Sequence, residues 1–192
     1  MIRLVVLAFG ALALSGCVGM MKPPPPPVAK VDVTENCLTE LHQAPKYEPL
    51  RSKVSLSKFP QRATLAMFAD QTKPTEAEKA LLSQLDADRN ACFEAGREFR
   101  NYYVAGNISA EYQREYSEVT RLTAQIYNGE LTYGQYNTKR AEIADAADAR
   151  RGALLESNRK AVQELQDRID SIGQKSRTSC RRVRGGFDCE TD

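Results

Sequence analysis

Few side chains in this 192-residue chain can act as sulfur nucleophiles or imidazole bases: there are five cysteines and one histidine, His42. Cys17 directly follows Leu14-Ser15-Gly16, while Cys37, Cys92, Cys180 and Cys189 are spread through the rest of the chain. An even set of four in an exported chain points to disulfides, and four cysteines allow three pairings. A metal site is the poorer reading, because no Cys-x-x-Cys occurs and only one imidazole is present. Any Ser-His-Asp or Cys-His arrangement would have to use His42, which lies near a proline-rich loop and reads as exposed and idle. No glycine loop suits a phosphate, since Gly185-Gly186 reads as a turn. Asp and Glu are abundant but fall on the wet faces of predicted helices. These residues give no reason to expect an enzyme, a cofactor or a metal.

Cys17 has a chemistry of its own. Arg3 is the only charge in the first sixteen residues, and an apolar run from Leu4 to Leu14 follows it. That run falls short of the about 20 apolar residues that span a bilayer. A positive residue, a short apolar core and small residues before a cut site make a secretory signal. Leu14-Ser15-Gly16-Cys17 closely resembles the lipobox of bacterial lipoproteins in residue type, order and distance from Met1. The resemblance covers the first twenty or so residues; beyond them the chain resembles only uncharacterised small envelope lipoproteins with paired cysteines. It implies a diacylglycerol thioether on Cys17, cleavage before Cys17 that removes residues 1–16, and acylation of the new amine. One acyl chain anchors only marginally, at about 0.8 kcal/mol per buried CH₂, and stable anchoring takes two signals. Three chains, palmitate-like, would make membrane lipid the first partner. Val18 in place of Asp implies sorting to the outer membrane, facing the periplasm. An ordinary secretory signal with an incidental cysteine is the alternative.

The formal charge of +2, or +1 once Arg3 is lost, is too balanced to argue for nucleic acid or a strongly anionic surface. There is no Trp, and Tyr outnumbers Phe. With a mean hydropathy of −0.50, the composition suits amphipathic helices around a thin core. The expected fold is mainly α: an elongated helical bundle or hairpin with one long helix, an irregular N-terminal wrap and a small stapled C-terminal β-hairpin.

The elements follow in order. Residues 17–30 form a spacer in which Pro23 to Pro27 adopt polyproline II, roughly 15 Å long at about 3.1 Å per residue. It reads as a standoff from the lipid, with a docking site for a Pro-binding module as the alternative. The helical domain spans 31–175. A short helix within Val31 to Ala44, capped by Thr34, carries Cys37 on the side of Leu38 and Leu41. Residues 45–74 form a wrap broken by prolines, with a short helix near Arg62 to Ala69; Leu50, Val54, Leu56, Phe59, Leu65 and Phe68 need burial there. A helix from about Glu76 to Val104 starts with a Thr75–Glu78 capping box and puts Cys92 on its buried face. A second helix, capped by Ser109, follows the break at Gly106-Asn107 and suits an antiparallel hairpin with the first. It ends at Asn128-Gly129.

Thr132 and Gln135 form another capping box, in a junction similar to the Gly-x-(Leu/Ile)-Thr-x-x-(Glu/Gln) turns of many unrelated bacterial proteins. The third helix runs from about Tyr133 to Ile172, about 60 Å at 1.5 Å per residue. Ile143, Ala147, Leu154, Val162, Leu165, Ile169 and Ile172 mark its stripe at a step near 3.6, and alanines between 141 and 153 suit close packing. Because it outruns its neighbours, its distal end is expected to project toward an envelope protein partner.

In the tail, 176–192, a two-residue loop at Arg184-Gly185 pairs Cys180 with Cys189 at a non-hydrogen-bonded position, a geometry that accepts a disulfide. The favoured bonds are therefore Cys37–Cys92 and Cys180–Cys189. Arg177, Arg181, Arg182 and Arg184 cluster here and read as a solvated tip, or else as a dock for an anionic surface. Tyr102, Tyr103, Tyr112, Tyr116, Tyr127, Tyr133 and Tyr136 read as packing, or as a recognition groove. The expected role is structural or that of an adaptor in the envelope, with a periplasm-facing module that binds a ligand or an envelope polymer as the alternative.

Overall fold

The computed structural model describes residues 31–57, 59–175 and 178–191. The signal segment, Cys17, the proline spacer and Arg177 lie outside them. The chain forms helices α1 (Thr34–Gln43), α2 (Leu65–Ala69), α3 (Glu76–Ala95), α4 (Arg97–Tyr103), α5 (Gly106–Tyr127) and α6 (Tyr133–Lys175), then strands β1 (Thr178–Val183) and β2 (Gly186–Thr191). Two 3-10 turns, Pro45–Leu50 and Pro60–Arg62, punctuate the wrap between α1 and α2.

α3, α5 and α6 run antiparallel to their neighbours. Phe93 stacks on Tyr116 with centroids 4.7 Å apart, while Thr120, further along α5, reaches back to Asp86. Likewise Asn107 meets Asn158, and Thr123 lies 3.4 Å from Tyr136. The core joins Tyr47, Leu50 and Val54 of the wrap to Leu82, Leu85, Leu122, Ile126, Tyr133 and Tyr136 of the helices. The wrap thus supplies part of the core that three helices alone would leave open.

Both capping boxes form. Thr75 and Glu78 satisfy one another's backbone N–H, and Thr132 N–H donates to Gln135 Oε1 at 2.9 Å. At the end of α5, Gly129 takes a φ of 73°; its N–H donates to Ile126 O, and Glu130 N–H to Gln125 O. This is a Schellman turn, which only a residue at ease with positive φ closes without strain. α6 has further partners at its start: Tyr133 N–H donates to Thr72 O at 3.0 Å and Gly134 N–H to Asp70 O at 2.7 Å.

Several expectations are corrected. The helix expected from Glu76 to Val104 breaks at Gly96. There the start of α1 comes so close that a Cβ would sit 2.0 Å from Thr34 Oγ1, and Arg100 turns back to donate to the freed Phe93 carbonyl. Thr34 does not cap α1 but is its first residue; the N-cap is Val33, without a side-chain cap, and Asp32 just before it accepts the Thr34 N–H at 2.9 Å. α5 begins at Gly106 with no side-chain cap, so Ser109 lies inside it. α2 starts at Leu65, with Thr64 accepting the Met67 N–H. Phe59 and Leu65 are exposed rather than buried: the guanidinium of Arg62 lies over the Phe59 ring, and Leu65 opens a one-turn helix too short to bury both sides. Of the alanines, Ala144 and Ala147 are buried, while Ala146, Ala149 and Ala153 are exposed.

Two disulfides close the expected pairs. Cys37–Cys92 ties α1 to α3, and Cys180–Cys189 staples the hairpin. The hairpin register places Val183 opposite Gly186, Arg182 opposite Phe187 and Cys180 opposite Cys189, with Gly185 at φ 106° in the turn.

Candidate functional site

Two regions are not accounted for by packing. The first is a cavity of about 680 Å³ between α1, the wrap, α3, α5 and α6. Its wall collects basic side chains from distant parts of the sequence: His42 from α1, Arg51 from the wrap, Arg89 from α3, Arg140 and Arg151 from α6. Arg100 of α4 stands at the end nearest Thr34.

Three of these cations are neutralised. Arg151 pairs with Glu115 of α5 and Asp148. Arg100 donates to Thr34 Oγ1 at 2.7 Å and lies 3.9 Å from Asp32, its guanidinium 3.8 Å from the centre of the Phe93 ring. Arg51 pairs with Glu48 on the solvent side and donates to Ala44 O. The other two differ. Arg140 is 6% exposed, and among the described residues its guanidinium donates to the carbonyls of Ser55 and Ser57. Burial, with Arg89 adding to it, pulls Arg140 down to about 10, so it remains charged at neutral pH. Arg89 Nε is buried without a hydrogen-bond partner, and its guanidinium stands 5.9 Å from the centre of the Tyr116 ring. Among the described residues no carboxylate pairs with either.

His42 corrects the sequence reading. It is buried, at 9% exposure, and its Nε2 is enclosed without a partner. Burial first, and then the positive fields of Arg140, Arg89 and Arg51, together lower its pKa to about 4. Among the described residues no hydroxyl or carboxylate hydrogen-bonds His42 Nε2. The arrangement offers hydrogen-bond donors and positive charge in excess of acceptors. The missed signal lay in the sequence only as three arginines on separate segments, which no local spacing joins.

The second region is the distal half of α6. Asn107 and Asn158 exchange hydrogen bonds of 2.8 and 3.1 Å where α5 begins. Past that point α6 runs on to Lys175, about 25 Å further at 1.5 Å per residue. Val162, Leu165, Ile169 and Ile172 along it are exposed, from 53% for Ile169 to 68% for Val162. Their steps of 3, 4 and 3 define a narrow seam, with Leu155 one heptad ahead of Val162. The expected projection is therefore present.

Two of the hairpin arginines do not share a face. Side chains alternate along a strand, so Arg181 and Arg182 point to opposite sides. Arg181 sits opposite Asp188, and Arg182 lies over the Phe187 ring at 5.6 Å. The tyrosines also divide: Tyr133 and Tyr136 are core, Tyr116 packs on Phe93, and Tyr112 borders the cavity, while Tyr102, Tyr103 and Tyr127 are exposed.

Among the described residues no helix is long and apolar enough to cross a membrane, and no group of three or more His, Cys, Asp or Glu is placed to hold a metal ion. Comparison with family models, curated proteins and solved structures finds no match to the chain.

Proposed function

We propose that this chain is a cell-envelope lipoprotein with a structural or adaptor role. Acyl chains on Cys17 hold it at the outer membrane, and the domain faces the periplasm. The Leu14-Ser15-Gly16-Cys17 box, Val18 and the proline spacer support the anchoring. The role itself is carried by one observation, the exposed seam Val162–Leu165–Ile169–Ile172 on a helix that outruns its bundle. A seam only two positions wide fits one amphipathic helix, so the partner is a helical segment of an envelope protein. Charges of both signs flank it, with Glu164, Asp167 and Asp170 beside Arg159, Lys160 and Arg168. The role proposed is non-enzymatic.

Photocrosslinking from Glu164 and Asp170 in cells, followed by mass spectrometry of the envelope, tests the adaptor. One dominant envelope protein is the expected product. Self-crosslinks alone would replace the adaptor with a homo-oligomeric element, and no specific product would remove the role from α6. Cys17→Ser is expected to release the protein from the membrane fraction; retention would overturn the lipid anchor. A second reading, a periplasm-facing ligand-binding module, is favoured by the arginine-lined cavity alone.

A further inference from the structure

The cavity lined by His42, Arg89 and Arg140 is built on different residues from the α6 seam, and its argument does not depend on what α6 meets. Among the described residues its wall carries five guanidiniums, and the carboxylates on it are Asp32, Glu35 and Glu115. Glu115 is paired with Arg151 and reaches Arg140 only through its field, and Asp32 is held by the Thr34 N–H and Arg100. Glu35 stands at the exposed rim. The segment that precedes the cavity in sequence cannot supply the missing charge, because residues 1–31 contain no Asp or Glu.

A buried cation with no carboxylate paired to it costs several kcal/mol in desolvation. Proteins keep such groups where a ligand completes the pair. Here the donors are also fixed in advance. The Ser55 and Ser57 carbonyls hold the Arg140 fork from one side. Arg89 Nε and His42 Nε2 are enclosed with no partner of their own.

The shape of the cavity adds a second constraint. About 680 Å³ is far more than an inorganic ion fills, and it lies within the range of pockets for small organic ligands. Leu38, Leu56, Phe93 and Val119 give the wall an apolar portion, and the Tyr116 ring sits beside Arg89.

We propose that this cavity binds a small organic oxyanion, with Arg89 and Arg140 clamping the anionic group, His42 Nε2 as a third polar contact, and the Leu38–Phe93–Val119 wall covering the ligand's apolar part. The shared chemistry is a planar or tetrahedral oxyanion on an apolar body, which a carboxylate or a phosphate monoester both provide; guanidinium forks bind either.

The test uses the anchored protein in detergent, or its acyl-free form, without a histidine tag. Phenyl phosphate, benzoate, inorganic phosphate and uncharged benzyl alcohol are titrated by calorimetry. In parallel the ring signals of His42, the chain's single histidine, are followed by NMR. One of the two organic anions is expected to bind at least tenfold more tightly than inorganic phosphate, and benzyl alcohol not to bind. The tighter of phenyl phosphate and benzoate names the anionic group. Its binding should raise the His42 pKa by a unit or more, because the anion offsets the fields of Arg140, Arg89 and Arg51. Arg89→Gln should weaken binding tenfold or more, and this variant should keep the helical fold because, among the described residues, Arg89 Nε has no hydrogen-bond partner to lose. Arg140→Gln should do the same where it folds. Three outcomes would overturn the proposal: no saturable binding of either organic anion at millimolar concentration, equal affinity in Arg89→Gln, or binding that leaves the His42 signals unmoved.

Discussion

Asn137, early in α6, accepts the backbone N–H of Ser55 on its side-chain oxygen at 3.2 Å. Its amide nitrogen donates to the carbonyls of Lys53 at 2.7 Å and Met67 at 3.1 Å. One buried amide thus satisfies three backbone groups of a wrap that has no sheet or long helix to satisfy them. Asn137→Ala would leave these groups buried and unpaired, at about 1–3 kcal/mol each. We expect a net loss of about 2–4 kcal/mol in urea unfolding. A loss below 1 kcal/mol would mean that water takes over the three bonds.

Gly134 and Gly152 lie on the same helix, and alanine at the two positions should have opposite effects. A Cβ at Gly134 would meet the Phe68 carbonyl oxygen at 2.4 Å and that of Asp70 at 2.8 Å, both backbone atoms. Nothing lies within 4 Å of a Cβ at Gly152. Gly134→Ala should cost about 1–3 kcal/mol as the strap is pushed away. Gly152→Ala should stabilise by roughly 0.5–1 kcal/mol through helix propensity alone. Thermal unfolding of the two variants side by side checks the pair of signs.

His42 makes stability depend on pH. Its folded pKa of about 4 lies below the ordinary imidazole value of 6.5, so between these values the unfolded chain binds the proton and the folded one does not. Stability is then full above pH 6.5 and falls as the pH drops toward 4, by up to about 3 kcal/mol at roughly 1.4 kcal/mol per unit. Urea midpoints measured from pH 7 to 4.5 should show this slope in the wild type and a flatter one in His42→Gln.

The two disulfides should behave differently when removed. Cys37–Cys92 closes a separation of 55 residues and holds α1 against α3. Replacing both with serine should cost about 4 kcal/mol by the chain-entropy account and loosen α1 first. Cys180–Cys189 spans nine residues in an exposed hairpin beyond the bundle. Its double serine variant should leave the global midpoint unchanged while exposing Arg181, Arg182 and Arg184 to trypsin. Limited proteolysis with and without the bond reads this directly.

The hairpin was fully legible in the sequence, because a two-residue turn and two cysteines equidistant from it fix the register by counting. The capping boxes and the Asn128-Gly129 stop were legible for the same local reason. The break at Gly96 was not, because its cause is the approach of Thr34 and Asp32, some sixty residues earlier in the chain. The burial of His42 was hidden likewise, since Arg51, Arg89 and Arg140 converge on it from three segments. Leu65 and Phe59 misled in the other direction. Apolar character in an irregular strap does not settle which side chains turn inward, because no helical or strand period ties one to the next.

Counted from the N-terminus, the bonded cysteines join first to second and third to fourth, with no bond crossing another. A chain threaded end-first into an oxidising compartment reaches this arrangement when each emerging thiol simply takes its predecessor. No shuffling by an isomerase is needed. Cys17 would shift that order by one if its sulfur arrived free, pairing with Cys37 and leaving Cys92 for Cys180. Under the proposed anchoring, the thioether on Cys17 therefore has a second effect: it takes the first thiol out of the queue and keeps the remaining four in step.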